Sequence, residues 1–214
     1  MVREGCCYMK DFKSVLESRR SVKQFDQNVK IPREEMEEMI TLTTKAPSSV
    51  NMQPWRFVVV DTAEGKDILR PLVQFNTRQN DTSAAMVVIF GDMKNYEYAD
   101  KIYDDAVEKG FMPQEVKDLQ VAKFVELYES LDRQGMNDIV KIDSSLAAMQ
   151  FMLIARYYGY DTNPIGGFEK DVIAEALGLD SERYMPVMII AVGKAAVEGR
   201  ESVRLPVEDV LSFR

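Results

Sequence analysis

The segment from Ser145 to Tyr158 constrains the fold most, because it is apolar on nearly every side. A long apolar run closed by Gly159 is typical of a helix, and Asp143 or Ser144 is predicted to cap its start. A helix without a polar face has to be packed on more than one side. We therefore expect either a central core helix or a helix shared with a second subunit.

Shorter helices and strands follow one another along the rest of the 214-residue chain, which is long enough for one large domain and short for two. Helical periodicity marks four segments and β-branched apolar runs mark three. Strands separated by helices in a chain of this length predict a mixed α/β or α+β sandwich. One predicted helix has Pro32 in its first turn and ends before Pro47, and the others cover 11–18, 66–73 and 171–177. The predicted strands cover 55–61, 85–91 and 187–192.

Charge is distributed unevenly along a chain whose formal net charge is −8. An acidic chain of this kind is a poor binder of nucleic-acid phosphates or of an anionic membrane surface. A helical excursion at about 96–138 is predicted to be solvated, since residues 92–138 include 12 acidic and 6 basic side chains. Residues 1–33 carry 8 basic and 4 acidic side chains, so this part either holds an anion or forms an ordinary wet surface.

Histidine is absent, and its absence excludes several classes of enzyme. No Ser-His-Asp or Cys-His pair and no imidazole zinc ligand can form, and the two cysteines, Cys6 and Cys7, are too few for a thiolate metal site. Neither the GxGxxG nor the P-loop motif occurs. An enzyme with this sequence therefore needs a cofactor for its difficult chemistry. Residues 1–9 are predicted to be a disordered leader, and the expected location is cytoplasmic because no targeting segment is visible.

Two short motifs suit a polar, anionic cofactor. The run Arg19–Lys23 has three cations and a hydroxyl within five residues, which fits a phosphate, although a basic helix end interacting with its own dipole gives the same pattern. The run Ala46–Trp55 combines two prolines with Ser, Asn and Gln, which suits a loop that reads a polar ring edge or a ribityl chain. A simple strand-entry turn would have the same composition.

Together these motifs resemble the nitroreductase family of FMN-dependent oxidoreductases. The resemblance continues through Asn163–Phe168 and ends at Arg204-Leu205-Pro206, so it spans nearly the whole chain from Phe12 onward. It implies an α+β fold: a nitroreductase-like three-layer sandwich, with a central, mostly antiparallel sheet flanked by helices, in an intertwined homodimer. Residues 10–214 would then form a single FMN-binding domain that includes the helical excursion.

The resemblance also implies a set of cofactor-binding residues and no metal site. These are Arg19, Arg20, Ser21, Lys23, Arg200 and Arg204 around the phosphate, ribityl chain and pyrimidine edge; Asn76, Ile165, Gly166 and Gly167 at the flavin ring; and Pro47, Ser48, Ser49 and Asn51, in a loop that reaches the flavin of the other subunit.

The sequence departs from the family's pattern in two places. Gly166 stands where many members have Glu, so the backbone donor remains but a carboxylate that shapes substrate binding is lost. A second lysine near the pyrimidine edge has no match around Asn80, so either Arg78 replaces it or Lys23 acts alone.

The implied activity is electron transfer from NAD(P)H to flavin N5 and then, by a ping-pong mechanism, to a nitroaromatic or quinone-type acceptor. No catalytic side chain is needed, because the flavin carries the redox chemistry. The alternative is a flavin-binding protein of the same fold, with a storage, regulatory or specialised role and little NAD(P)H turnover. Among the aromatic residues of the excursion, Phe111, Phe124 and Tyr128 are candidates to line the acceptor pocket.

Overall fold

The computed structural model describes residues 11–214 and has an α+β fold built on an antiparallel sheet. The predicted leader, residues 1–9, lies outside the described residues. Within the described range, the four strands of the sheet pair in the order β1-β2-β4-β3, each antiparallel to its neighbour. They are β1 Trp55–Val60, β2 Ala85–Asp92, β3 Asp161–Ile165 and β4 Tyr184–Gly193.

Helices account for most of the remaining ordered segments. They are α1 Phe12–Ser18, α2 Arg33–Thr43, α3 Ala63–Leu69, α4 Thr77–Thr82, α5 Ala99–Glu108, α6 Gln114–Glu129, α7 Arg133–Tyr157 and α8 Ile173–Ala176.

Helices pack on both faces of the sheet because the central strands are apolar on both faces. Strand β2 is buried along its whole length. Val88, on one face, belongs to a hydrophobic cluster with Ile173 of α8. Val87, on the other face, belongs to a cluster with Met39 of α2 and Phe151 of α7. Successive residues of a strand point to opposite faces, so an unbroken apolar run serves both clusters.

Helix α7 is much longer than predicted. The expected start at Ser145 was wrong, because the helix begins at Arg133 and its N-cap is Asp132, whose Oδ1 accepts a hydrogen bond from the Gly135 N–H at 2.7 Å. The stop at Gly159, which has φ +78°, is confirmed.

One face of α7 is exposed among the residues that the structure describes. Leu146, Met149 and Tyr157 are exposed, whereas Ala147, Phe151 and Ala155 of the same helix are buried. These side chains line an apolar groove of about 790 Å³ that also includes Phe12 of α1 and Leu42 of α2. The helix is therefore packed on some sides, whereas on this side residues 11–214 leave it partly exposed.

In the segment Asn163–Gly167, the first three residues form the end of a strand and precede the two glycines. Asn163, Pro164 and Ile165 belong to strand β3, which pairs with β4. Strand β3 lies at the edge of the sheet, where a proline is tolerated because one side of the strand needs no ladder hydrogen bond.

The predicted excursion at about 96–138 contains two helices, α5 and α6, which are together called the flap, and its last residues belong to α7. Helices α5 and α6 are separated by a turn in which Gly110 has φ +71°. None of the helices in the described range, 11–214, is both long and apolar enough to cross a membrane.

The C-terminal segment 201–214 is extended apart from a short turn, and every residue in it is exposed. Its surface includes apolar side chains, since Val203 is 94% exposed and Phe213 is 88% exposed. These two apolar side chains are therefore almost uncovered by the described part of the chain.

Candidate functional site

A cavity of about 350 Å³ gathers positive charge from three distant parts of the chain. We call it the basic cavity, and its lining residues are Ser21, Lys23, Gln24, Arg78, Val197, Glu198, Gly199 and Arg200.

The basic cavity forms because the segment after α1 lies beside the segment after β4. Val22 N–H donates to the Thr162 carbonyl of β3 at 3.0 Å, and Ala196 N–H donates to the Gln24 carbonyl at 3.0 Å. Gly199 is required at its position, since a Cβ there would lie 2.5 Å from Cβ of Arg20. Close approach of two backbones thus brings residues about 170 positions apart into one wall.

Among the residues that the structure describes, the cations of the basic cavity form no ion pair. Within the range 11–214, no carboxylate forms an ion pair with Lys23, Arg78 or Arg200. Glu198 is the one acidic residue among those that line the cavity. Three cations without an ion pair in the described part of the chain, together with the Ser21 hydroxyl, make a wall suited to an anionic ligand with hydrogen-bond acceptors.

The other arginines of the predicted phosphate site do not line this cavity. Arg19 ends α1, where its backbone N–H donates to the Val15 carbonyl at 3.1 Å. The Arg20 guanidinium turns back to the carbonyls of Glu17 and Arg19, as expected for a basic helix end. Arg204 lies in the exposed C-terminal segment.

The Gly166–Gly167 turn follows Ile165 at the end of β3 and is held in place by Asn76. The Asn76 amide donates to the Gly167 carbonyl at 3.1 Å and to the Val73 carbonyl at 3.1 Å. No atom lies within 4 Å of the position that a Cβ of Gly166 would take, so the backbone faces open space there. Asn76 thus anchors the turn through hydrogen bonds within the chain.

Sequence reasoning missed the residue beside Asn76. Phe75 is 97% exposed, which is extreme for a large aromatic side chain, and it follows Gln74, whose φ is +50°. An aromatic ring presented to solvent beside a glycine turn is a candidate contact for a planar ligand. No local sequence pattern marks Phe75, because its exposure follows from the left-handed conformation of Gln74, which residue types do not reveal.

The segment Ser48–Gln53, called here the site loop, has an unusual backbone. Val50, Asn51 and Gln53 have positive φ values of 40°, 56° and 46°. Each left-handed non-glycine residue costs about 1–3 kcal/mol and persists only where its surroundings fix it, often at functional sites. A β-branched residue such as Val50 makes this conformation rarer still.

The site loop and the basic cavity do not meet in one chain. Asn51 lines a second cavity of about 1120 Å³, together with residues of α5 and Phe111 of the turn after it. Pro47 lines the apolar groove on α7. No residue lines both the second cavity and the basic cavity. The predicted site is therefore divided into two halves within the single chain.

The three aromatic candidates for the acceptor pocket have different surroundings. Phe111 is 78% exposed and lines the second cavity. Phe124 and Tyr128 instead pack in the hydrophobic cluster between the flap and α7. Phe111 is thus the candidate with a surface available to a ligand.

Comparisons with known proteins agree on one family. The family model described as "Nitroreductase family" matches residues 16–194. The chain is 50% identical to "Putative NAD(P)H nitroreductase YdgI" of Bacillus subtilis, over 95% of this chain and 98% of that protein. It is 39% identical to "CLA biosynthesis enone reductase" of Lactiplantibacillus plantarum, over 95% of this chain and 94% of that protein.

A solved structure from Exiguobacterium sibiricum has the same fold. It is described as a nitroreductase in complex with FMN and superposes with a TM-score of 0.95 at 51% identity, covering 98% of this chain and 100% of that one.

Proposed function

The chain belongs to the nitroreductase family, and from this premise we propose that it carries electrons from NAD(P)H through FMN to nitroaromatic or quinone-type acceptors. The enzyme is an NAD(P)H-dependent flavin oxidoreductase with FMN as its cofactor. The observation that carries the proposal is the basic cavity, which is lined by Lys23, Arg78 and Arg200, none of which forms an ion pair among residues 11–214.

The residues of the basic cavity fit the charged end of FMN. A phosphate dianion needs cations and neutral donors, which Arg200 and Ser21 supply at this cavity. Lys23 and Arg78 add positive charge for the pyrimidine edge, so Arg78 takes the place of the lysine that the sequence lacks. Arg19, Arg20 and Arg204 complete the phosphate site in this proposal, with Arg204 carried to it by the C-terminal segment.

FMN, when bound, supplies the redox chemistry by accepting electrons from NAD(P)H and passing them to the acceptor. The chain supplies position and charge. The Gly166–Gly167 turn offers backbone N–H groups at an open surface, and the hydrogen bond from Asn76 to the Gly167 carbonyl holds the turn in place. Since NAD(P)H and the acceptor use one face in turn, we propose a ping-pong mechanism.

We further propose that the chain is a three-layer sandwich, with helices on each face of the sheet, and that two copies form an intertwined homodimer. The apolar groove on α7 and the exposed apolar side chains of 201–214 occur in the same chain, so two copies can cover both surfaces at once. The same arrangement would bring the Pro47–Asn51 loop of one chain to the basic cavity of the other. Light scattering at micromolar concentration should give about twice the chain mass.

Anaerobic reduction tests the function directly. The FMN-loaded protein should lose its yellow colour within seconds of adding NADH or NADPH, and it should recover the colour when a nitroaromatic or a quinone is added. An enone belongs in the same series, because a relative is named an enone reductase. Initial rates at several acceptor concentrations should give parallel double-reciprocal lines.

Yellow protein that NADH and NADPH leave unchanged would favour the alternative, a flavin-binding protein with little turnover. Protein that binds no FMN would contradict both.

A further inference from the structure

Side chains from three helices hydrogen-bond to the backbone of the site loop. The Tyr103 hydroxyl of α5 donates to the Val50 carbonyl at 2.9 Å. The Tyr128 hydroxyl of α6 donates to the Ser49 carbonyl at 3.3 Å. The Asp143 carboxylate of α7 accepts from the Ser49 N–H at 3.0 Å. Two of these three groups thus come from the flap.

These contacts fall where the backbone is most strained. Val50 has φ 40° and ψ 34°, and the two tyrosine hydroxyls bond the carbonyls of Val50 and of the residue before it. Met52, which is 1% exposed, anchors the other end in the cluster that contains Tyr103 and Tyr128. A left-handed valine needs such external restraints, because its own steric preference opposes this conformation.

We propose that Tyr103 and Tyr128 are positioning residues, which hold the left-handed site loop so that Asn51 is presented to the partner's flavin. This inference rests on the proposed function and on the proposed dimer. In this proposal, the flap fixes the backbone of the site loop, which completes the neighbouring site. Asp143 is the third restraint and acts from the body of the domain.

The hydroxyl-to-hydrogen substitutions Y103F and Y128F test the proposal, with Y96F as the matched control. Tyr96 packs against the same cluster, and within the described residues its hydroxyl makes no hydrogen bond to the site loop. FMN affinity is measured by titrating the apo-protein. We expect the dissociation constant to rise about 3- to 10-fold in Y103F and less in Y128F, whose hydrogen bond is longer. Y96F should stay within about twofold of wild type.

A second readout does not depend on FMN. The amides of Ser49, Asn51, Met52 and Gln53 are all hydrogen-bonded, so their exchange with deuterium reports on the loop. In the apo-protein, the double variant Y103F/Y128F should exchange these amides at least about tenfold faster than Y96F does. FMN should slow exchange here in wild type and much less in the double variant.

Each outcome has a distinct meaning. Equal deuterium exchange in the double variant and in Y96F would show that the two tyrosine hydroxyls do not restrain the site loop. Faster exchange with unchanged FMN affinity would overturn the positioning role. Failure of the proposed function would show in the wild type, which would bind no FMN, whereas failure of this inference shows only between variants.

Discussion

The basic cavity and the site loop direct their polar groups in opposite ways. At the basic cavity, the backbone is hydrogen-bonded by ordinary strand-like contacts and the cationic side chains have no ion-pair partner among the described residues. In the site loop, the backbone is strained and several of its polar groups are bonded by side chains from elsewhere. The difference indicates two separate roles. The basic cavity leaves its cationic side chains available to a ligand, and the conformation of the site loop is held by hydrogen bonds from neighbouring helices.

Removing two cations from the basic cavity should give the largest effect. The variant K23Q/R200Q is expected to weaken FMN binding by about 3 kcal/mol or more, if each charge-assisted hydrogen bond contributes about 1.5 kcal/mol and the effects add. Fluorescence titration of the apo-protein measures it. The control K30Q/R133Q removes the same charge outside the cavity and should bind FMN normally. Equal losses in both variants would mean that only net charge matters.

The arginines outside the cavity lining should have a smaller effect that depends on assembly. R19A and R204A are each expected to weaken FMN binding by about 1.5–3 kcal/mol, because both are proposed phosphate donors. R33A, which removes an exposed arginine of α2, should leave the affinity within about twofold. If R19A and R204A both bind FMN as wild type does, these two residues do not belong to the phosphate site.

A Gln-to-Gly substitution should raise the stability of the protein in the site loop and lower it in the basic cavity. Q53G is expected to stabilise the protein by about 0.5–1 kcal/mol, since Gln53 has φ 46° and glycine adopts this conformation without strain. Q24G, in the basic cavity, should destabilise it by a similar amount, because Gln24 is not left-handed and glycine adds backbone entropy to the unfolded chain. Thermal unfolding measures both. The same sign at both positions would contradict the strain assigned to the site loop.

The smallest effect concerns pH and the anchor at Asp143. Burial raises the pKa of the Asp143 carboxyl above its ordinary value of 3.8, despite the opposing hydrogen bond from Ser49. The folded state therefore favours the protonated form, and this contribution to stability is present below pH 3.8 and is lost as the pH rises through the folded-state pKa.

The comparison of wild type with D143N isolates that contribution. The Tm of D143N minus that of wild type should increase from pH 3.8 upward and become constant above the raised pKa. A difference that decreases with rising pH would reverse the assigned direction of the shift.

The fold was largely predictable from local patterns, whereas the start of α7 was not. Asp143 and Ser144 have the residue types of an N-cap, and nothing nearby in the sequence marks them otherwise. In the structure, Asp143 bonds Ser49, which is 94 positions away in the chain. A capping residue and a tertiary anchor look alike in sequence, because both need a short carboxylate near a backbone N–H.

The candidate site was predictable in composition and not in arrangement. The Arg19–Lys23 motif indicated an anion site, and the resemblance added Arg200 from the other end of the chain. Arg78 reaches the same wall only through tertiary packing. The left-handed Val50 contradicts its own steric preference, so no rule based on residue type predicts it.

The pairing of the segment after α1 with the segment after β4 also constrains the order of events during synthesis. Phe25 bridges to Ala195, and Asp26 N–H donates to the Lys194 carbonyl at 2.8 Å. Contacts between segments so far apart in sequence form late, because the intervening chain must be closed into a loop first. The wall that we propose for the FMN phosphate cannot form until Arg200 has left the ribosome. We therefore expect a nascent chain to acquire its yellow colour only after nearly all of it has been translated.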